Sequence, residues 1–361
     1  MLAAAEEREM GFLDSLVGRQ KRGLVQTMTT AGRVTGKQLR RGQFLAALPG
    51  LYFTRVGIAQ SVDSARKVGI LLGSLSGRIY LNAFHEGLSK LGWTDGRNIV
   101  VTPYWGEGDS SIMQAHAVEL VKSRPDVIVV QSATALRAVI KATADIPIVF
   151  FVVSDPVGNK FVQSLSRPGG NVTGFSLYSY EIVGKWLQLL KEITPQLERV
   201  MLLMNVNNPN WPGWFSASEK IFRALKVQLV TTRITSAPDV ERQISALARQ
   251  PNSGLIVLPD PLLGTFERLI IDSAAKNRLP AMYGVERYVD DGGLISYSAD
   301  NIDLARRAAE YVSRILRGEK PNDLPVQMPT RFRLVVNLKT ARSLGLTIPH
   351  SVLLIAGKVI E

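Results

Sequence analysis

Short aliphatic runs, apolar at successive rather than alternate positions, constrain this chain more than any other feature. In its first half they are Val68–Gly73 (VGILLG), Ile99–Tyr104 (IVVTPY), Val127–Gln131 (VIVVQ), Ile148–Val153 (IVFFVV) and Val172–Leu177 (VTGFSL). A strand that is apolar on both faces must be covered on both faces, which is the condition of a parallel sheet flanked by helices. Amphipathic stretches near 78–91, 110–123 and 133–143 supply those helices. The pattern then restarts with Val200–Met204, Val227–Val230, Gly254–Leu258 and Pro280–Tyr283, alternating with helical stretches near 211–225, 237–249 and 264–277. After Gly293–Tyr297 come a helix over Ile302–Arg317 closed by Gly318, extended chain over Leu324–Asn337 and a short helix near 340–344. No Pro/Ser/Gly-rich linker separates the halves. The fold class is therefore α/β, two doubly wound parallel-sheet (Rossmann-like) lobes, and 361 residues suit two domains.

Composition removes several chemistries. The chain has no cysteine, hence no disulfide, thiolate metal site or cysteine nucleophile. Its three histidines, His85, His116 and His350, stand in no paired spacing, so a histidine metal centre is not expected. The net charge of +12 divides unevenly. Residues 1–59 hold nine Lys/Arg and four acids, while the rest holds 34 and 27. Beyond residue 59 no basic run exceeds two residues, which reads as solvated helix faces and not as a nucleic-acid surface.

The first 59 residues read as an export signal region. Arg33, Lys37, Arg40 and Arg41 form a basic segment, Phe44–Phe53 an apolar one broken by Pro49, and Gly57-Ile58-Ala59 a small-residue cleavage site before Gln60. Arg55 ends the apolar run too soon for a membrane span. Arg40-Arg41-Gly42-Gln43-Phe44 resembles a twin-arginine signal with one extra residue, which leaves the export route open. Glu6, Glu7, Glu9 and Asp14 do not suit such a signal, and a start at Met28 would make 1–27 untranslated. The expected destination is the periplasm.

Catalytic patterns are missing. Gly73-Ser74-Leu75-Ser76-Gly77 is not the dinucleotide fingerprint, and there is no phosphate-binding G-x-x-x-x-G-K-[ST] or G-x-S-x-G elbow. In open parallel sheets a ligand sits beyond the carboxyl ends of the strands, so polar residues there are the candidates. Ser132 and Thr134 follow the third strand and open a helix whose first amides suit a carboxylate. Asp155, in Ser154-Asp155-Pro156, follows the fourth strand and suits an ammonium group, or else forms an Asp-Pro turn. Asn205, Asn207 and Asn208 precede Trp211 and Trp214, whose rings suit a flat ligand or the covering of a lobe edge. Asp260 and Asp300 complete the rim. On these residues three readings stay open: a solute receptor without catalysis, a hydrolase on a doubly wound scaffold, and a ligand-sensing transcription regulator. The last needs an amino-terminal helix-turn-helix where this chain has the signal layout.

Lys67–Ser74 (KVGILLGS), Phe84–Leu88 with Leu91-Gly92-Trp93, Ile146–Gly158 (IPIVFFVVSDPVG), Arg167–Gly174 (RPGGNVTG), Leu316–Lys320 (LRGEK) and Leu334–Gly345 (LVVNLKTARSLG) together resemble the substrate-binding proteins of ABC importers. The resemblance is to the branch of the type I periplasmic-binding fold that includes tryptophan- and tyrosine-binding members, over roughly 67–345. It implies two lobes joined by a three-crossing hinge that closes over a small molecule, delivery to an ABC permease, a monomer, and no cofactor. It points to Ser74, Ser132, Thr134, Asp155, the Asn205–Asn208 loop, Asp260 and Asp300 as cleft positions. Ala133 stands where a proline is often found. The crossings are expected near Asn171–Tyr178, with Gly169, Gly170 and Gly174 permitting unusual backbone angles, near Ile295–Asp300 and near Leu324–Arg331. Lobe one is then 66–174 plus 298–326, and lobe two 175–297 plus 327–361. The expected ligand is an amino acid or an aromatic carboxylate.

Overall fold

The computed structural model describes residues 65–74 and 77–361. The export region, its cleavage before Gln60 and the Met28 start lie outside the described residues.

The first sheet is β1 (Arg66–Leu72), β2 (Ile99–Trp105), β3 (Val127–Gln131), β4 (Ile148–Val153) and β5 (Val172–Ser176), ordered β2-β1-β3-β4-β5 and parallel throughout. Side chains alternate across it with period two. Val68, Ile70, Val129, Val149 and Phe151 point to one face, where Tyr80, Phe84 and Leu88 of α1 (Arg78–Lys90) cover them. Leu71, Ile128, Val130 and Phe150 point to the other, against α2 (Ser110–Lys122) and α3 (Ala133–Ala142). Both faces are dry, as the unbroken apolar runs require.

The second sheet comprises β6 (Arg199–Leu203), β7 (Gln228–Thr231), β8 (Ser253–Val257), β9 (Ala281–Tyr283), β10 (Ile295–Ala299), β11 (Phe332–Asn337) and β12 (Lys358–Ile360), ordered β12-β11-β10-β9-β8-β6-β7. Strands β6 to β10 are parallel, as expected for a doubly wound lobe, while the extended chain before Asn337 adds a strand of opposite direction: β11 pairs antiparallel with β10, and β12 runs with β11. A strand that returns from the other sheet enters from the opposite end, so its direction reverses. Helix α4 (Ile182–Ile193) and α5 (Trp211–Ala224) cover one face. Helix α6 (Ala237–Ala248), the short α7 (Pro261–Thr265), α8 (Glu267–Lys276) and α9 (Arg287–Asp290) lie on the other. The expected single helix over 264–277 is thus two pieces that break at Phe266.

Helix α10 (Asn301–Leu316) follows β10 of the second sheet yet packs on the first. Its backbone touches that of α1: a Cβ at Gly87 would lie 2.7 Å from the Arg306 carbonyl oxygen and 2.8 Å from Ala309 Cβ. Trp93 Nε1 donates to Ser313 Oγ at 2.9 Å across the same contact. The chain therefore passes between the sheets three times: after β5, after β10, and between the 3-10 turn Pro321–Asp323 and β11. These passages lie side by side. Gln327 N donates to the Gly174 carbonyl at 3.0 Å, Ser176 N to the Gln327 carbonyl at 2.8 Å, and Asp300 N to the Arg331 carbonyl at 3.3 Å. Gly169 and Gly174 take positive φ, +82° and +152°; Gly170 is not among the residues that do. The chain ends in α11 (Leu338–Ser343), α12 (His350–Leu354) and β12. Among the described residues no helix is long and apolar enough to cross a membrane.

Candidate functional site

The carboxyl ends of β1, β3 and β4 face those of β6, β8, β9 and β10 across a cavity of about 70 Å³. Ser74, Gln131, Ser132, Val152 and Ser154 line it from the first sheet; Asn208, Asn210, Asp260, Glu267 and Arg287 line it from the second. Tyr80 of α1 and Asn301, the first residue of α10, close one side and continue into a wider groove of about 420 Å³ that holds Asp300 and Arg333. The two walls also meet directly. A Cβ at Gly73 would stand 2.9 Å from Pro261 Cβ, one at Gly108 would stand 2.9 Å from Leu262 Cα, and Asn159 Nδ2 donates to Asn210 Oδ1 at 2.9 Å.

Two backbone distortions shape the first wall. Ser132, 5% exposed, is held at φ +95° as the amino-terminal cap of α3, its Oγ accepting from Ala135 N at 3.3 Å. The amides of Ala133 and Thr134 begin that helix and have no acceptor within it. Val152 sits at φ +56° where the β4–β5 register shifts, a costly conformation for a β-branched residue. The bulge places the end of β4 against the cavity.

The second wall is organised by Asp260, the cap of α7. Its carboxylate accepts from Leu262 N at 2.8 Å, Leu263 N at 3.2 Å, Asn208 Nδ2 at 2.5 Å and Asn205 Nδ2 at 3.4 Å. Burial raises its pKa above the ordinary carboxylate value, against the pull of these donors. Glu267 is only 7% exposed, and burial, with the neighbouring Asp291, pushes its pKa up to about 7. Arg287 pulls the other way and donates to Glu267 Oε2. Among the described residues nothing donates to the buried Glu267 Oε1 or Asn301 Oδ1, although Glu267 lies beside Asp291 and Asn301 beside Tyr80.

Of the residues expected from sequence, Ser74, Ser132, Asn208 and Asp260 line this cavity. Thr134, Asn205 and Asn207 do not; they face a separate space of about 100 Å³ beyond Pro261. Asp300 lies in the adjoining groove, where it caps α10 through Asp303 N at 3.0 Å and pairs with Arg333 at 3.6 Å. Asp155 is turned into its own loop, Oδ1 accepting from Gly158 N at 2.9 Å, so the Asp-Pro turn is what forms. Trp211 is half-buried with its ring 5.5 Å from that of Phe215, and Trp214, 3% exposed, stacks on Trp186 at 5.5 Å within the aromatic core. Neither ring lines the cavity. Sequence reading passed over Tyr80, Glu267, Arg287 and Asn301. The strand-end rule reaches two of them: Arg287 lies four residues past β9 and Asn301 two past β10. Glu267 carries no such signal, because only the break at Phe266 turns it inward.

The sequence matches the family model described as ABC transporter substrate binding protein over residues 77–360. It is 28% identical over 263 residues, 73% of this chain and 75% of the other, to a tyrosine-binding protein of Clostridioides difficile (strain R20291). An ABC domain from Streptococcus pneumoniae crystallised with L-Trp superposes with a TM-score of 0.77 at 26% identity, over 82% of this chain and 100% of that one. The ligand-free, open structure of a substrate-binding protein with adhesive properties from Clostridium difficile gives 0.60 at 27% identity, over 82% and 99%.

Proposed function

The chain belongs to the ABC transporter substrate-binding proteins, solute receptors that supply a small molecule to an ABC importer, and from that premise we propose that its ligand is an amino acid or aromatic carboxylate held between the two lobes outside the cytoplasm. The observation that carries the reading is the cavity where strand ends of both sheets converge, with the start of α3 as one wall. The Ala133 amide and the dipole of α3 suit a carboxylate, and an ionised acceptor makes about twice as strong a hydrogen bond as a neutral one. The relatives named for tyrosine and L-Trp support the same ligand class.

In this proposal the lobes swing on the three passages near 177–181, 299–301 and 328–331, and contacts to both lobes stabilise the closed form. The direct contacts of Gly73 and Gly108 with α7 belong to a closed arrangement. The better superposition on the L-Trp complex than on the open structure, at nearly equal identity, supports this. The signal over 1–59, export to the periplasm, a monomeric receptor and the partner permease complete the reading.

A thermal-shift screen of L-amino acids, aromatic acids and sugars tests it. A ligand at 100 times its dissociation constant adds about 2.7 kcal/mol, enough to raise the melting temperature by several degrees. The expected result is a shift with one or more carboxylates and none with neutral sugars. A shift confined to sugars would overturn the reading.

A further inference from the structure

We infer that Asn159 is a latch between the lobes, which holds the closed form without touching the ligand and so sets how long any ligand stays bound. The inference rests on the reading of a ligand enclosed by hinge closure, and adds a positioning residue outside the cavity that governs it.

Asn159 lies on the loop after β4, on the first sheet's side. Asn210, the residue before α5, and Tyr180, at the end of the first passage, lie on the second's. Asn159 Nδ2 donates to Asn210 Oδ1 and to the Tyr180 hydroxyl, both at 2.9 Å. It also donates to two carbonyls of its own loop, Ser154 at 3.2 Å and Asp155 at 3.0 Å. An amide nitrogen carries two hydrogens, so four acceptors share them. When the lobes part, the loop's own carbonyls keep both hydrogens and no donor is stranded. Closure therefore exchanges bonds within the loop for bonds between the lobes, which keeps the contact reversible.

Both halves of the latch are built before they meet. Tyr180 and Asn210 are 8% and 6% exposed. The Tyr180 ring packs on Trp214 at 5.0 Å, and a Cβ at Gly213 would collide with its Cε2, so glycine there lets the ring lie against the start of α5. Its hydroxyl donates to Asn210 Oδ1 at 3.3 Å. Burial pushes its pKa up to about 12, so the hydroxyl keeps that proton. On the other side, the turn that begins at Asp155 fixes Asn159. Asn159 N donates to the Asp155 carbonyl at 3.0 Å, Gly158 N to Asp155 Oδ1 at 2.9 Å, and Phe161 N to the Pro156 carbonyl at 2.9 Å. Asp155, expected from sequence as a ligand group, is the mount of the latch. Two halves that are rigid beforehand lose little freedom on joining, so the chain closes part of the time without ligand. Asn210 lines the cavity and Asn159 does not. Asn159 is thus the place where closure changes while the ligand's contacts stay as they are.

The chain has no cysteine, so Glu119→Cys on α2 and Glu241→Cys on α6, both exposed, carry one pair of distance probes across the lobes. A ligand leaves when the lobes part, so its dissociation rate rises as the closed form weakens. In the labelled full chain, Asn159→Ala should move the ligand-free distance distribution toward the open form. It should also speed the dissociation of L-tryptophan and of L-tyrosine by one common factor, about threefold to tenfold, the worth of a single such hydrogen bond. Tyr180→Phe should act in the same direction more weakly, and adding it to Asn159→Ala should change the rates no further. An unchanged distance distribution, or unchanged dissociation rates, would overturn the latch. Factors that differ more than threefold between the two probes would overturn it too, because only a group that touches the ligand discriminates between them. Failure of both probes to bind would count against the amino-acid reading, and the ligand-free distances would then decide the latch alone. Where Asn159→Ala fails to fold, Tyr180→Phe carries the same test.

Discussion

Asp260→Ala is expected to lower the unfolding free energy by about 2 to 4 kcal/mol and to abolish ligand-dependent stabilisation. The carboxylate satisfies two amides of α7 and the side-chain amides of Asn205 and Asn208. Losing a helix cap costs about 1 kcal/mol, and each donor left without a partner in a buried place about 1 to 3. Asn208 lines the cavity, so its release disturbs the site as well as the fold. Asp260→Asn keeps an oxygen for the cap and is expected to cost about 1 kcal/mol or less. Because burial raises the Asp260 pKa, its contribution is fully present below the ordinary carboxylate range and declines as pH rises through the raised value. Asp260→Asn should remove that part of the pH dependence. Urea unfolding at pH 5 and pH 8 measures both effects, and an alanine variant within about 0.5 kcal/mol of the parent would contradict the hub assigned to this residue.

The second large effect lies at the first passage between the sheets. Gly174 sits in β5 at φ +152°, directly opposite Phe150 of β4. A Cβ there would fall 2.0 Å from the Phe150 carbonyl oxygen and 2.7 Å from its amide nitrogen, both backbone atoms of a strand paired on both sides that cannot move aside. Overpacking costs about 1 to 3 kcal/mol and a non-glycine residue forced into such a conformation about as much again. Gly174→Val is therefore expected to lose about 3 to 6 kcal/mol, or to fail to accumulate as folded protein. Gly170→Ala, where a Cβ meets nothing within 4 Å, serves as the control and should be near neutral. Equal urea midpoints for the two variants would contradict the account.

What could be read from the sequence followed from how each element is buried. β1, β3 and β4 are apolar at successive positions because both their faces are covered. Helix α4 escaped notice for the converse reason. Val183, Trp186, Leu187, Leu189, Leu190 and Ile193 are buried over much of its circumference, so its polar face is too narrow to mark a period. β12 is three residues long, with two of them exposed, and earns its place only by pairing with β11. The antiparallel course of β11 depends on which sheet the chain has just left, which no local pattern records.

At the site, rules about strand ends reached Ser74, Ser132, Asn208 and Asp260. They also picked Asp155, whose short side chain reaches its own Gly158 amide before it reaches the cleft. Trp211 and Trp214 were ambiguous for a physical reason, since a large ring at a helix start serves a core and a ligand equally well. Trp214 is used in the core, beside Trp186, Tyr178 and Tyr180. Glu267 becomes visible only when the two sheets are brought face to face.

The central claim is that a ligand occupies the cavity between those faces. A crystal structure of the protein grown with the compound that gives the largest thermal shift tests it most directly. The account predicts the ligand's carboxylate at the Ala133 amide beside Ser132, with groups of both lobes touching the same molecule. A ligand bound to one lobe alone, or at a place that touches neither Ser132 nor Glu267, would contradict it.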